Sequence, residues 1–168
     1  MDIIRLELEL TSTCNLQCPL CIRTIDQNSI NTKIKYRPLS EIINQLEEAQ
    51  FNNLKYITIA GPISEPTLYP DLFELLKYLN KRKLEISLFI NGDTHDDLYY
   101  KKLGIIFRSG VGHIYFTICG STQELHSKYR VGSSLEKVLN NLDIVKKYSD
   151  KAILTWIIFN YNEANHQF

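Results

Sequence analysis

The sequence predicts an α/β fold, a parallel-sheet (β/α) barrel or partial barrel, and three observations carry that reading. Short runs rich in β-branched and aromatic residues alternate with amphipathic segments. The alternation recurs about every 30 residues after a longer first connection, the rhythm of repeated right-handed βα units. The first run alternates polar and apolar residues, as a strand with one wet face does.

In chain order, Ile4, Leu6, Leu8 and Leu10 alternate with Arg5, Glu7 and Glu9, which predicts a strand over 4–10. Glu7 and Glu9 then face either the barrel lumen or water, and neither earns a catalytic role. Apolar runs at 56–60, 84–90, 113–119 and 152–159 predict four further strands. Helical spacing fills the segments 39–51, 71–83, 95–108 and 134–148. In the last of these, Leu135, Val138, Leu139, Leu142 and Val145 make one apolar face, Ser134 is placed as the N-cap, and Lys146 and Lys147 lie near the negative end of the dipole.

At 168 residues and 44% hydrophobic content the chain is one domain with a core of its own. Lys+Arg and Asp+Glu both number 19, so no basic field exists to gather phosphates, and nucleic acid is not an expected partner. The N-terminus lacks the basic start and continuous apolar stretch of a secretory signal, and no apolar run reaches the roughly 20 residues needed to span a bilayer. Four cysteines without a signal point to reduced thiols and a cytoplasmic protein. The final run, 151–159, is apolar on both faces and suits an interior strand, so something should cover it. Only nine residues follow, enough for a capped helix start at Asn162 and Glu163. A longer architecture cut or split here, or a second chain supplying the cover, is expected.

The stretch CNLQCPLC puts Cys14, Cys18 and Cys21 directly after the first strand. Three soft ligands at that spacing select zinc or an iron-sulfur cluster. A closed zinc site wants four ligands, while Cys119 lies about a hundred residues away and the loop holds no histidine. A cluster held by three cysteines leaves one iron open.

These residues resemble the radical S-adenosylmethionine superfamily, whose signature is this cysteine spacing after the first strand of a (β/α) barrel, here with Asn15 after the first cysteine and Pro19 after the second. The resemblance implies a 4Fe-4S cluster on Cys14, Cys18 and Cys21. It also implies S-adenosylmethionine chelated to the open iron and cleaved reductively to methionine and a 5′-deoxyadenosyl radical that abstracts a substrate hydrogen. GPISEP at 61–66 is similar to the family's Gly-Gly-Glu-Pro turn, so Gly61, Ser64, Glu65 and Pro66 are implied at the cofactor's methionine end. Asn91 with Gly92 resembles the family's turn after the third strand. FTICGSTQELHSKYR at 116–130 resembles the segment after the fourth, which implies Thr117 near the cofactor and Arg130 against its carboxylate. Leu20 stands where the family often has an aromatic residue beside the adenine; Pro62 and Ser64 depart from the glycine-rich turn.

By that resemblance residues 1–168 are a radical SAM core with five strands of an expected six, incomplete at the C-terminus, in the style of the peptide- and protein-modifying maturases. An electron donor such as a flavodoxin or ferredoxin and a peptide substrate are the implied partners. The rival reading is a non-catalytic iron-sulfur or zinc module. Cys119 shares strand parity with Thr117 and is a candidate hydrogen donor to a substrate radical, although a small buried thiol is the commoner role. His126 and Tyr129 could line a substrate mouth, and loop residues of that kind more often cap or pack.

Overall fold

The computed structural model describes residues 2–26 and 36–164. Strands β1 (Arg5–Leu8), β2 (Tyr56–Ile59), β3 (Glu85–Ile90), β4 (Val111–Ile118) and β5 (Ala152–Trp156) form one parallel sheet in the order β1-β2-β3-β4-β5. Helices α1 (Ile22–Ile25) and α2 (Leu39–Leu46) precede β2, α3 (Leu72–Lys81) precedes β3, α4 (Asp97–Ser109) precedes β4, and α5 (Gln123–Ser127) and α6 (Leu135–Tyr148) precede β5. Neighbouring strands consecutive in sequence, each joined through a helix, all cross over on the same side and curl the sheet toward a barrel.

Burial follows the pleat. Ile57, Ile59, Ile86, Leu88, Ile90, Ile114, Phe116 and Ile118 share one core with Ile42 and Leu46 of α2, Leu72 to Leu79 of α3, Tyr100, Leu103 and Phe107 of α4, and Val138 and Val145 of α6. The alternate residues, Thr58, Ser87, Phe89, His113, Tyr115 and Thr117, lie on the opposite, open face, where Phe89 and Tyr115 stack 4.4 Å apart. Gly112 sits at φ +116° with Ile86 O only 1.9 Å from where a Cβ would be, so the β3–β4 ladder closes only around a glycine.

Each predicted strand and long helix is present with altered limits. Residues 39–51 split into α2 and a 3₁₀ turn, Ala49–Phe51. On a continuous helix Phe51, five residues after Leu46, would point about 140° away from the core face, and the tighter turn buries it instead. The fourth helix starts later than predicted because Asp96 caps it, accepting a hydrogen bond from Tyr99 N at 3.0 Å. His95 stays outside, stacked on Tyr99 and bonded through Nε2 to Thr67 O at 2.7 Å. Asp96→Ala is expected to cost about 1 kcal/mol, read as a lower denaturant midpoint at unchanged slope, with Asp96→Asn close to wild type.

The last strand is shorter than the apolar run, and among the described residues it pairs only with β4. Its side chains after Ala152 are half-buried, and one edge of the strand has no partner among the described residues. Asn162 begins no helix. It is fully buried in a turn, its Oδ1 accepting from Phe159 N at 2.7 Å and its amide donating to Cys119 O at 2.8 Å and Ile157 O at 2.9 Å. No helix among the described residues is long and apolar enough to cross a membrane.

Candidate active site at the C-terminal end of the sheet

The chain leaves β1 and runs over the C-terminal ends of the strands, where barrels of this kind carry their chemistry. The loop from Thr11 to Cys21 has no regular structure of its own, and its neighbours hold it. Thr13 O accepts from Glu65 N at 2.8 Å. Asn15 donates to Asp93 O at 2.9 Å and accepts from Asn91 Nδ2 at 2.7 Å, and Gln17 N donates to Val131 O at 3.1 Å. The loop is therefore tied to the turns after β2, β3 and β4 together. Cys21 then starts the single turn of α1, and its thiol donates to Pro62 O at 3.3 Å.

A cleft of about 440 Å³ opens among these loops. Cys14, Cys18 and Cys21 line it with the whole turn from Gly61 to Glu65, and Asn91, Arg130 and Leu20 complete it. All three thiols are free. Burial raises the Cys14 thiol and pushes the Cys18 thiol up to about 11, with Arg130 pulling Cys18 down and the neighbouring cysteines pushing it up. A centre that binds here must therefore displace thiol protons, as thiolate-ligated metals do.

Glu65 turns inward. Its carboxyl accepts from Thr67 N at 3.1 Å, Thr67 Oγ1 at 2.6 Å and Asn91 N at 2.8 Å, and burial raises its pKa against those hydrogen bonds. The side chain thus caps the 3₁₀ turn Pro66–Leu68 and joins it to the end of β3, presenting little more than its backbone to the cleft. Asn91 Oδ1 accepts from Asp93 N at 2.9 Å, which leaves both ends of its amide engaged. Gly92 takes φ +78°, and a Cβ there would lie 2.7 Å from the Phe116 ring.

Two predicted residues lie elsewhere. Thr117 faces the open side of the sheet and bonds Thr155 Oγ1 at 3.0 Å, outside the lining of the cleft. Cys119 is fully buried and also outside it. The ladder ends at Ile118, so strand parity no longer governs the next residue, and Ile118 and Cys119 are both enclosed. Cys119 N donates to His126 Nδ1 at 3.3 Å, and His126 Nε2 meets Ser133 Oγ at 3.0 Å. His126 is accordingly a structural histidine, while Tyr129 does line the cleft. Arg23 and Ile157 line it too. Arg23 is signalled only by its nearness to Cys21, and Ile157 by nothing in the sequence.

The donor set fits an iron-sulfur cluster: all three thiols line one cleft, and cysteine thiolates are the ligands such clusters take. Arg130 Nε is buried and meets no acceptor among the described residues, so it can accept an anionic group in the cleft.

Comparison with known proteins agrees. The chain is 30% identical over 113 residues to the tungsten-containing aldehyde ferredoxin oxidoreductase cofactor-modifying protein of Pyrococcus furiosus, covering 67% of this chain and 30% of that protein. It is 26% identical over 140 residues to the mycofactocin maturase of Mycobacterium ulcerans, covering 83% and 36%. The chain thus spans about a third of the length of these relatives. Its fold overlays Streptococcus suis SuiB, in a structure bound to the precursor peptide SuiA, with a TM-score of 0.73 at 17% identity, over 91% of this chain and 32% of that one. The profile of the radical SAM superfamily matches residues 8–167, nearly the whole chain, and the protein belongs to that superfamily.

Proposed function

We propose that the protein binds a 4Fe-4S cluster through Cys14, Cys18 and Cys21 and cleaves S-adenosylmethionine reductively to start radical chemistry on a peptide. The observation that carries this is the convergence of the three thiols, the 61–65 turn, Asn91 and Arg130 on one cleft. The cluster and S-adenosylmethionine are the superfamily's cofactors, and when bound they supply a 5′-deoxyadenosyl radical for hydrogen abstraction.

The chain's own residues bind and orient. Arg130 offers Nε to the cofactor's carboxylate, the backbone of Gly61 to Glu65 takes its methionine end, and Leu20, 67% exposed at the mouth, covers the adenine by apolar contact where a ring would stack. Thr117 lies outside the lining of the cleft, and Cys119 meets it only through Arg130. A peptide is the favoured substrate class, supported by the maturase relative and by the fold shared with a peptide-bound enzyme. A flavodoxin or ferredoxin in the cytoplasm is the electron donor we favour.

Anaerobic reconstitution with iron and sulfide, followed by reduction in the presence of S-adenosylmethionine, tests the reading. Deoxyadenosine is expected from the wild type and not from a Cys14/Cys18/Cys21→Ala control. Stoichiometric zinc with no cleavage would establish the non-catalytic module instead.

A further inference from the structure

Pro62 and Ser64 depart from the glycine-rich turn that the superfamily's pattern leads one to expect, and the fold answers with a residue from β1's continuation. The β1–β2 ladder ends at Leu8 and Ile59, and the next residue of β1's continuation, Glu9, approaches Gly61. Most of the turn is fixed elsewhere: Glu65 N bonds Thr13 O, the Glu65 carboxyl bonds Thr67 and Asn91, and Pro62 O accepts the Cys21 thiol. The Ser64 hydroxyl has no such partner, and it lies with Glu9 Oε1 against Gly61.

The packing is close. A Cβ on Gly61 would lie 2.2 Å from Ser64 Oγ, 2.6 Å from Glu9 Oε1 and 2.8 Å from Ser64 O. Glu9 Oε1 and Ser64 Oγ are each shielded from water. Neither oxygen meets another hydrogen-bond partner, and burial raises the Glu9 pKa against the pull of the Ser64 hydroxyl beside it. Glu9 as a whole is half-buried, and Oε1 is the oxygen turned inward onto Ser64.

We propose that Glu9 is a positioning residue that packs behind Gly61 and Ser64 and so sets the shape of the turn lining the cleft. This rests on the function proposed above, because the turn is then the surface that receives the methionine end of S-adenosylmethionine. Glu9 touches neither cluster nor cofactor. Its loss should weaken S-adenosylmethionine binding and leave the three thiols and their cluster in place.

Two measurements test it. In the metal-free chain, melting of Glu9→Ala, Ser64→Ala and the double variant should show coupling, the double being no less stable than the worse single. Additive effects would overturn the pairing, whatever the cofactor is. In the reconstituted protein, titration with S-adenosylmethionine monitored by the cluster's paramagnetic signal should show affinity reduced about tenfold in Glu9→Ala at unchanged iron and sulfide content, a change of the size that one net polar contact contributes. Glu9→Gln keeps the shape of the side chain and an acceptor beside the Ser64 hydroxyl and should recover most of that loss, which a general loosening of the fold would not allow. Unchanged affinity in Glu9→Ala, loss of iron along with affinity, or failure of Glu9→Gln to recover would each overturn the proposal. A wild type without iron or sulfide would instead overturn the proposed function, and the melting measurement would still decide the pairing.

Discussion

Cys18→Ala, reconstituted anaerobically, is expected to lose the visible and paramagnetic signature of a cluster and well over about 100-fold of deoxyadenosine formation, since even an outer-shell partner of a metal is worth roughly 10- to 100-fold. Cys18 is the most buried of the three thiols and stands between Arg130 and the other two cysteines. Cys119 lies on the far side of Arg130 and is fully enclosed, its backbone held by His126 and Asn162, so it is not free to take the place of Cys18. In the metal-free state the same substitution removes one small buried side chain and should cost only about 1 kcal/mol, so loss of the cluster cannot be a consequence of unfolding. Cys119→Ala is the matching control and should keep both iron content and deoxyadenosine formation. If Cys18→Ala retained its cluster while Cys119→Ala lost it, the ligand assignment would be wrong. Iron and sulfide analysis of the two variants side by side decides the matter.

The contrast between those thiols also shows what a sequence can specify here. Spacing within one loop is local, so Cys14, Cys18 and Cys21 could be read together, and the loop geometry that gathers them follows from the few residues between. Strand and helix order was equally legible, because a period of two or of 3.6 depends on near neighbours. The limits were not: Phe51 is buried by a 3₁₀ turn that only the core's position requires, and Asp96 had to be distinguished as a cap from the adjacent Asp97. The relation between Cys119 and Thr117 was not legible for a different reason. Parity predicts a common face only while the ladder lasts, and β4 stops between them. Asn162 reads as a helix start, yet its amide donates to Ile157 O nearby and to Cys119 O across a long sequence separation, a pairing that no local pattern signals. Glu9 read as an ordinary polar-face residue, and only the approach of Gly61 and Ser64 shows what it faces.

The largest effect expected from a residue outside the cleft is a loss of stability on acidification traced to His126. Its ring is fully buried between the end of β4 and the loop before α6, with Nδ1 accepting from Cys119 N and Nε2–H directed to Ser133 Oγ. That pairing uses one neutral tautomer, and a second proton on Nδ1 would turn an acceptor against a backbone donor. Burial, with Arg130 nearby, lowers the folded pKa from 6.5 to about 4, against a weaker pull from Asp93. The folded state therefore stays neutral while the unfolded chain takes up a proton below about pH 6.5, so protons favour unfolding. The stabilisation is complete above that pH, declines as pH falls toward about 4 and is gone below it, a change of about 3 kcal/mol. Other carboxyls titrate over part of the same range, and comparison with His126→Asn removes them: the variant keeps an acceptor for Cys119 N but has nothing to protonate. Urea unfolding of the metal-free proteins at pH 7 and pH 4.5 should show the wild type losing about 2 to 3 kcal/mol more than the variant. Equal losses would mean that the imidazole is charged in the folded chain. The wall of the cleft at Tyr129 and Arg130, bonded to His126 O through the Arg130 backbone, would then be built on a different hydrogen-bond pattern.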